Sequence, residues 1–411
     1  FQPKQISSMI EYRQFFGEPQ KETGITVNID SNNNITGKVI QPSKYLMSYS
    51  LEMFFANGGS TCYIVSVGDY ETGGVQFQNL KDGLDKTDEV NEVTLLVFPD
   101  STGLDTPVDY YALHKEAIDK CVLLKDRFVV MDVWLSPDPD ADNITILRNS
   151  NLGNSTDDLK YAAVYYPRIY TILDYFYKND DAVVKVTGGA ADTLEALKAV
   201  NNAQYFQARS AINNIEMVMP VSAAVVGKYA QVDGTRGVWK APANVTIDYA
   251  IRPEKMITDK QQERLNVDVN AGKSINVIRS FPGRGSALIW GARTLAGNSN
   301  EWRYIPVRRY FNMVEESTKN ATQAFVFEPN DLNTWSLVKS MISNFLIQQW
   351  KSGALQGVTP QEAFFVHVGL KETMTYQDIL EGRMIVEIGL AVVRPAEFII
   401  LRFMHKMLEE A

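Results

Sequence analysis

Three stretches decide the fold: Val93-Thr94-Leu95-Leu96-Val97-Phe98, Thr106-Pro107-Val108-Asp109, and Arg127-Phe128-Val129-Val130-Met131-Asp132-Val133-Trp134. The first is a continuous apolar run without alternation. The second reads as a helix start, with a capping Thr, a Pro at the first helical position and an acid in the first turn. Leu113, Ala117, Cys121 and Leu124 then fall on one helix face, and the third stretch returns as another apolar strand. Strands joined by a helical crossover are usually parallel, and strands without alternation are buried on both faces. The unit from Glu92 to Trp134 therefore predicts an α/β layer.

Working outward, Ser8 to Phe16 predicts a short helix closed by Gly17, and Ile25 to Ser31 a strand ending at the turn Asn32-Asn33-Asn34. Tyr45 to Phe55 has helical spacing and ends at Asn57-Gly58-Gly59; Cys62 to Val67 alternates as a strand. Strands are expected at Ala162 to Tyr166 and Val218 to Val226, with helix from Ala191 to about Ala211. Ile275 to Arg279, the turn Phe281-Pro282-Gly283-Arg284-Gly285 and Ser286 to Trp290 read as strand, turn and strand. A helix over Phe311 to Thr322 and a strand Phe325 to Phe327 precede a long helix capped by Asn330 or Asp331 and closed by Gly353. Two last strands run from Met384 to Val393 and Glu397 to Met404, broken by Pro395.

The chain has 411 residues, enough for two or three domains and a large core. Its net charge of −9 argues against whole-chain attraction to nucleic acid or anionic membrane. Two cysteines, Cys62 and Cys121, make no disulfide framework and suit a reducing compartment. No apolar run approaches the ~20 residues of a membrane helix. The sequence opens at Phe1 without Met or a signal pattern, which predicts that a native start precedes it. Five Asn-x-Ser/Thr sequons read as chance in that context.

Chemistry is sparse. His114, His367 and His405 show no metal-ligand spacing with either cysteine. The acidic loop Ser136 to Asn143 lacks the Gly and the Glu of a calcium loop. Phe281 to Gly285 has Leu288 where a dinucleotide site needs its third Gly, and no Gly-Lys-Ser/Thr follows. No Gly-x-Ser-x-Gly elbow occurs. No catalytic residue, metal or cofactor is expected.

Two features do carry a functional expectation. Residues 273–312 hold seven bases (Lys273, Arg279, Arg284, Arg293, Arg303, Arg308, Arg309) against Glu301, a local +6, whereas residues 81–158 hold seventeen acids and seven bases, or −10. Such polarity suits head-to-tail stacking of identical copies. The apolar segment Glu397-Phe398-Ile399-Ile400-Leu401-Arg402-Phe403 stands where a sheet edge would be open, so it is either buried in its own domain or paired with another subunit.

Several motifs, in order, resemble the contractile tail sheath proteins of phages and of related bacterial contractile injection systems. They include Phe54-Phe55-Ala56-Asn57-Gly58-Gly59-Ser60-Thr61-Cys62-Tyr63-Ile64-Val65, Leu95-Leu96-Val97-Phe98-Pro99-Asp100, Asp126-Arg127-Phe128 and Arg236-Gly237-Val238-Trp239-Lys240-Ala241-Pro242. The most specific are Ile275-Asn276-Val277-Ile278-Arg279 with Phe281 to Gly285, Trp290-Gly291-Ala292-Arg293-Thr294-Leu295, and Trp302-Arg303-Tyr304-Ile305 with Arg308-Arg309. Val326-Phe327-Glu328-Pro329-Asn330-Asp331 and Pro395-Ala396-Glu397-Phe398-Ile399 follow. The resemblance implies a subtilisin-like α/β domain without protease chemistry, followed by a smaller α+β C-terminal domain. The expected boundaries are 1–80 (an N-terminal segment packing on the core, its native arm lying before Phe1), 81–297 and 298–411. Residues 174–216 match no motif and read as an insertion.

The resemblance further implies a structural subunit, not an enzyme, that forms stacked hexameric rings around an inner tube, contracts, and drives the tube through a target envelope. Implied partners are copies of itself, the inner tube protein, baseplate and terminal cap proteins, with a second sheath paralogue left open; nucleic acid and direct membrane insertion are not among them. Implied location is assembly in the bacterial cytoplasm, as part of a phage tail or tail-like particle. Glu397 to Phe403 would be the intersubunit strand, Arg279, Arg284, Arg293, Arg303, Arg308 and Arg309 intersubunit charge contacts, and Lys339 and Lys351 contacts to the inner tube. Two other classes remain open on the residues themselves: a degenerate hydrolase, and a nucleic-acid-binding module using the 279–309 arginine cluster.

Overall fold

A computed structural model describes residues 1–71, 73–186 and 192–398. The strands are β1 (Pro3–Ile6), β2 (Thr26–Ile29), β3 (Ile35–Val39), β4 (Cys62–Val65), β5 (Leu95–Leu96), β6 (Phe128–Asp132), β7 (Ala162–Tyr166), β8 (Ile169–Thr171), β9 (Val183–Val186), β10 (Met217–Met219), β11 (Val245–Thr246), β12 (Ala250–Pro253), β13 (Asn276–Phe281), β14 (Gly285–Trp290), β15 (Phe364–His367) and β16 (Glu387–Leu390). They form a six-stranded sheet in the order β11-β14-β13-β7-β6-β5, two three-stranded sheets, β10-β8-β12 and β3-β2-β9, and two pairs, β1-β4 and β15-β16. The chain divides into two compact units, Phe1–Val238 with Pro242–Ala321, and Trp239–Ala241 with Thr322–Ala411.

The larger unit is built on the predicted strand-helix-strand. Thr106 Oγ1 accepts from Asp109 N at 3.1 Å, starting the helix Pro107–Leu124, which ends at Lys125 with φ +61. β5, β6, β7 and β13 run parallel, and β14 turns back antiparallel. The unbroken apolar sequence of β6 follows from burial on both faces. Phe128 and Val130 join a core with the helices Met47–Ala56 and Ser222–Arg236, while Val129 and Met131 join one with the helix Pro107–Leu124. A satellite core of Ile25, Val27, Val184 and Leu197 lies between β3-β2-β9 and the helices Leu194–Val200 and Asn202–Asn213. Much of the motif-free stretch 174–216 thus completes a layer with β2 and β3.

Two local expectations are corrected. Val218 to Val226 is not one strand: β10 stops at Met219 before Pro220, and the apolar run continues as the helix Ser222–Arg236. A short apolar run buried all round looks alike as strand or helix. Phe325 to Phe327 is not a strand: Gln323–Phe325 is a 3₁₀ turn and Phe327 has φ +71. The larger compact unit runs to Ala321. The helix Ile305–Thr322 packs Ile305, Val307, Tyr310 and Val314 into the larger unit, where Asn312 Nδ2 donates to Arg127 O at 3.0 Å. Residues 1–80 lie in the larger unit, where β1 pairs with β4.

The smaller unit is organised by the helix Leu332–Lys351, where Asp331 Oδ1 accepts from Asn333 N and Thr334 N at 3.0 and 3.1 Å. Of the apolar residues at helical spacing, Trp335, Val338, Ile342 and Leu346 are buried, Phe345 is half-buried and Leu332 is exposed. β15 and β16 pair antiparallel, Phe364 opposite Leu390 and His367 opposite Glu387.

Candidate self-assembly surface

The smaller unit buries Val338, Ile342, Leu346, Ala354, Leu355 and Val366 and has an apolar exterior. Trp335, Val368 and Met374 form its local cluster with Ile379, Met384 and Val386 around them. Eleven of the 25 large apolar side chains exposed among the described residues fall in this unit, which is about a fifth of the described chain. A two-stranded sheet is marginal alone and presents open edges that another chain can extend. Beyond β16 the chain stays extended: Gln356 N donates to Ala391 O at 2.7 Å and Val393 N to Ala354 O at 3.1 Å. It then leaves through Arg394 and Pro395 without forming a strand to Phe398, which is exposed. Glu397 is half-buried. Ile399, Ile400, Leu401, Arg402 and Phe403 lie outside the described residues.

The arginine cluster separates into two groups. Arg293, Arg308 and Arg309, expected at intersubunit contacts, are buried within their own chain. Arg309 forks onto Asp233 at 3.0 and 2.5 Å. Arg308 donates to Asn312 Oδ1 at 2.7 Å and Glu315 Oε1 at 2.8 Å, and its guanidinium faces the Trp302 ring at 4.7 Å. Arg293 reaches Gly297 O at 3.4 Å. A buried guanidinium is retained because a fixed carboxylate or carbonyl replaces its water; a linear count of charges does not reveal this.

The other three are accessible to different degrees. Arg279 pairs with Asp259 at 2.7 Å and also donates to Gln262. Arg303 donates to Ser299 O at 2.9 Å and to Asn300. Arg284, at the tip of the β13–β14 hairpin, is exposed; it lies over Trp290 at 5.0 Å and bonds Asn244 Oδ1 at 2.5 Å, with no carboxylate partner among the described residues. Lys339 and Lys351 are both exposed on the helix Leu332–Lys351, about 120° apart around its axis.

The geometry also bears on catalysis. Asp132 and Ser222 meet at the end of β6, where Asp132 Oδ1 accepts from Val221 N at 2.7 Å and Ser222 N at 3.1 Å. The carboxylate is a cap for the helix Ser222–Arg236. His114 Nδ1 instead lies 2.8 Å from Tyr110 O, and burial lowers its pKa to about 4. All three side chains are buried. A cavity of about 870 Å³ opens between β4 and the 93–98 segment, lined by Tyr12, Phe16, Leu51, Phe54, Cys62 and Asp100. Burial pushes the Cys62 thiol up to about 12, so it keeps its proton at neutral pH. Among the described residues no His, Cys, Asp and Glu cluster could hold a metal ion.

A phage tail sheath C-terminal domain model matches residues 298–405. The chain is 30% identical to the sheath of an extracellular contractile injection system, PVC, in its contracted state, covering 98% of this chain and 86% of that one with a TM-score of 0.66. Against the contracted helical sheath of the anti-feeding prophage the identity is 31%, the coverage 98% and 88%, and the TM-score 0.67. The chain belongs to the contractile tail sheath family. Its fold is the mixed helix-and-sheet fold of that family, whose members are structural subunits of phage tails and contractile injection systems. A chain from the anti-feeding prophage baseplate is 33% identical over 95% of this sheath protein and 90% of that chain, with a TM-score of 0.65. The curated tail sheath protein of Vibrio phage KVP40 is 26% identical over 148 residues, 36% of this chain and 22% of that much longer relative.

What motif reading missed in this sheath protein is the exposure of its smaller unit. Phe327 is fully exposed and Val326 largely so. The motif Val326 to Asp331 contained the signal, but its apolar start suggested a strand.

Proposed function

We propose that this chain polymerises as stacked hexameric rings around an inner tube, then shortens and drives the tube through a target envelope. The observation that carries this reading is the likeness to contracted sheaths over nearly the whole chain, two of them at 30% identity or more. The exposed apolar surface of the smaller unit supports it, because a monomer in water gains nothing from such a surface and a polymer buries it. The stroke needs no nucleotide. Energy is held in the extended lattice as less favourable contacts between copies, and is released when a baseplate trigger lets the first ring rearrange.

In this reading the larger unit carries a subtilisin-like α/β body whose Asp132 and Ser222 serve as a helix cap, and residues 298–411 act as the C-terminal sheath domain, with 174–216 an insertion. Ala396 to Phe403 is the linking strand, added to a neighbour's C-terminal sheet. Arg279, Arg284 and Arg303 are the basic side chains left to meet neighbouring rings, and Lys339 and Lys351 face the tube. Partners are the inner tube, baseplate and cap proteins and, where present, a second sheath paralogue, with assembly in the bacterial cytoplasm. Deleting Pro395 onward is expected to leave a folded subunit, by circular dichroism, that forms no tubes. Helically striated tubes of the truncated protein in negative-stain micrographs would refute the linking role.

A further inference from the structure

Two surface features carry charges with no opposite charge paired to them among the described residues, and they complement each other. One is Phe327. It is fully exposed, Val326 beside it is 60% exposed, and Phe327 has φ +71, a left-handed backbone that a bulky side chain rarely adopts. A strained, solvated aromatic is maintained where the surroundings use it. The next residue, Glu328, is exposed and has no cation partner among the described residues. The other feature is the tip of the β13–β14 hairpin. Phe281 and Trp290 pack with ring centroids 4.5 Å apart, and Arg284 covers both, 5.6 Å from the first and 5.0 Å from the second. Its guanidinium is exposed and unneutralised, while Arg279, paired with Asp259, flanks the Phe281 ring at 4.8 Å.

We propose that Phe327 and Glu328 of one copy dock on the Phe281, Trp290 and Arg284 platform of a second copy, ring against ring and carboxylate against guanidinium. The inference rests on the self-assembly reading and assigns it a contact. The occupant is a second copy because the two motifs complement each other in shape class and charge, and a polymer brings them together at every repeat. The contact is heterologous: each copy offers Phe327 and Glu328 at one place and receives them at another, so it propagates instead of closing a dimer. An aromatic seated on a ring pair with a charge at its rim is the composition of an interface anchor.

The test uses the full chain and measures tubes by sedimentation and negative-stain microscopy. Glu328→Arg and Arg284→Glu each place like charges together, and each is expected to raise the concentration needed for tubes by roughly tenfold or more. An equal mixture of the two is expected to restore tubes, because alternating copies then offer only opposite pairs. A contact within one chain could not be rescued by mixing, so failure of the mixture after both single losses overturns the proposal. Phe327→Gly relieves the backbone and removes an exposed ring; it is expected to leave the subunit's unfolding midpoint unchanged or higher while weakening assembly by a similar factor. Wild-type tubes with unaffected variants would refute this contact alone, whereas a wild-type chain that forms no tubes at all refutes the assembly reading beneath it.

Discussion

Replacing Asp132 by Ala tests whether the buried Asp132 and Ser222 pair is architecture or chemistry. The carboxylate accepts from Val221 N at 2.7 Å and Ser222 N at 3.1 Å, at the start of a fifteen-residue helix whose face fills the core. Hydrogen bonds to a charged group contribute about 1.5–3 kcal/mol each, so two lost together amount to about 3–6 kcal/mol. Burial works against the ion and raises the Asp132 pKa, which places the expected cost near the lower end, about 3 kcal/mol. Asp132→Asn keeps one acceptor oxygen and should lose roughly half of that. Ser222→Ala leaves the backbone N–H in place and should cost under about 1 kcal/mol with tube formation intact. Urea unfolding followed by tryptophan fluorescence gives the stabilities. Two results would refute the reasoning: Asp132→Ala with a loss below about 1 kcal/mol, or Ser222→Ala that folds normally yet abolishes tubes.

Gly227 tests the packing between the helices Met47–Ala56 and Ser222–Arg236. A methyl there would sit 2.5 Å from Phe54 O and 2.9 Å from Asn57 Cβ, so Gly227→Ala should lower stability by about 2 kcal/mol despite the better helix propensity of Ala; a more stable variant would show that the helices are not in close contact. Asp100, whose Oδ1 accepts from Leu46 N at 2.5 Å, is raised by burial from 3.8 to about 6. The native state therefore holds its proton more tightly than the unfolded state. The associated stability is present below pH 3.8 and is lost as pH rises through about 6, a change of about 3 kcal/mol at 1.36 kcal/mol per unit. The stability difference between wild type and Asp100→Asn, measured by urea titration at several pH values, should follow that window; a flat difference contradicts the assignment.

The α/β layer was legible because its signal is local: a continuous apolar strand, a capped helix start and a second apolar strand within 43 residues leave little choice. The hairpin at Phe281 to Gly285 was legible for the same reason, since Gly283 takes φ +74 at its tip. The helix Ser222–Arg236 was not, because Val221 to Val226 is buried all round and periodicity has nothing to report. The ion pairs of the arginines were illegible for a different reason. Arg279 and Arg309 are both basic in a linear count, but the partners that neutralise them, Asp259 and Asp233, lie 20 and 76 residues away. The tie between the helix Ile305–Thr322 and the start of β6 was illegible likewise, because the bond from Asn312 to Arg127 crosses 185 residues.

The contrast between the units suggests how one chain can both hold a lattice and let it move. In the larger unit, the sheet is covered by helices on both faces, and even its cations are fixed: Arg127 is buried on the carbonyls of Thr87 and Val90 at 2.9 and 3.0 Å. Interiors of that kind are bistable at best and do not deform gradually. Among the described residues the smaller unit has a two-stranded sheet and eleven exposed large apolar side chains. Covering those side chains with another copy would lower its free energy, so on the proposed assembly reading that free energy depends on the arrangement of neighbours. On the proposed reading the larger unit would transmit displacement, and the exposed apolar surface of the smaller unit would make one lattice lower in free energy than the other.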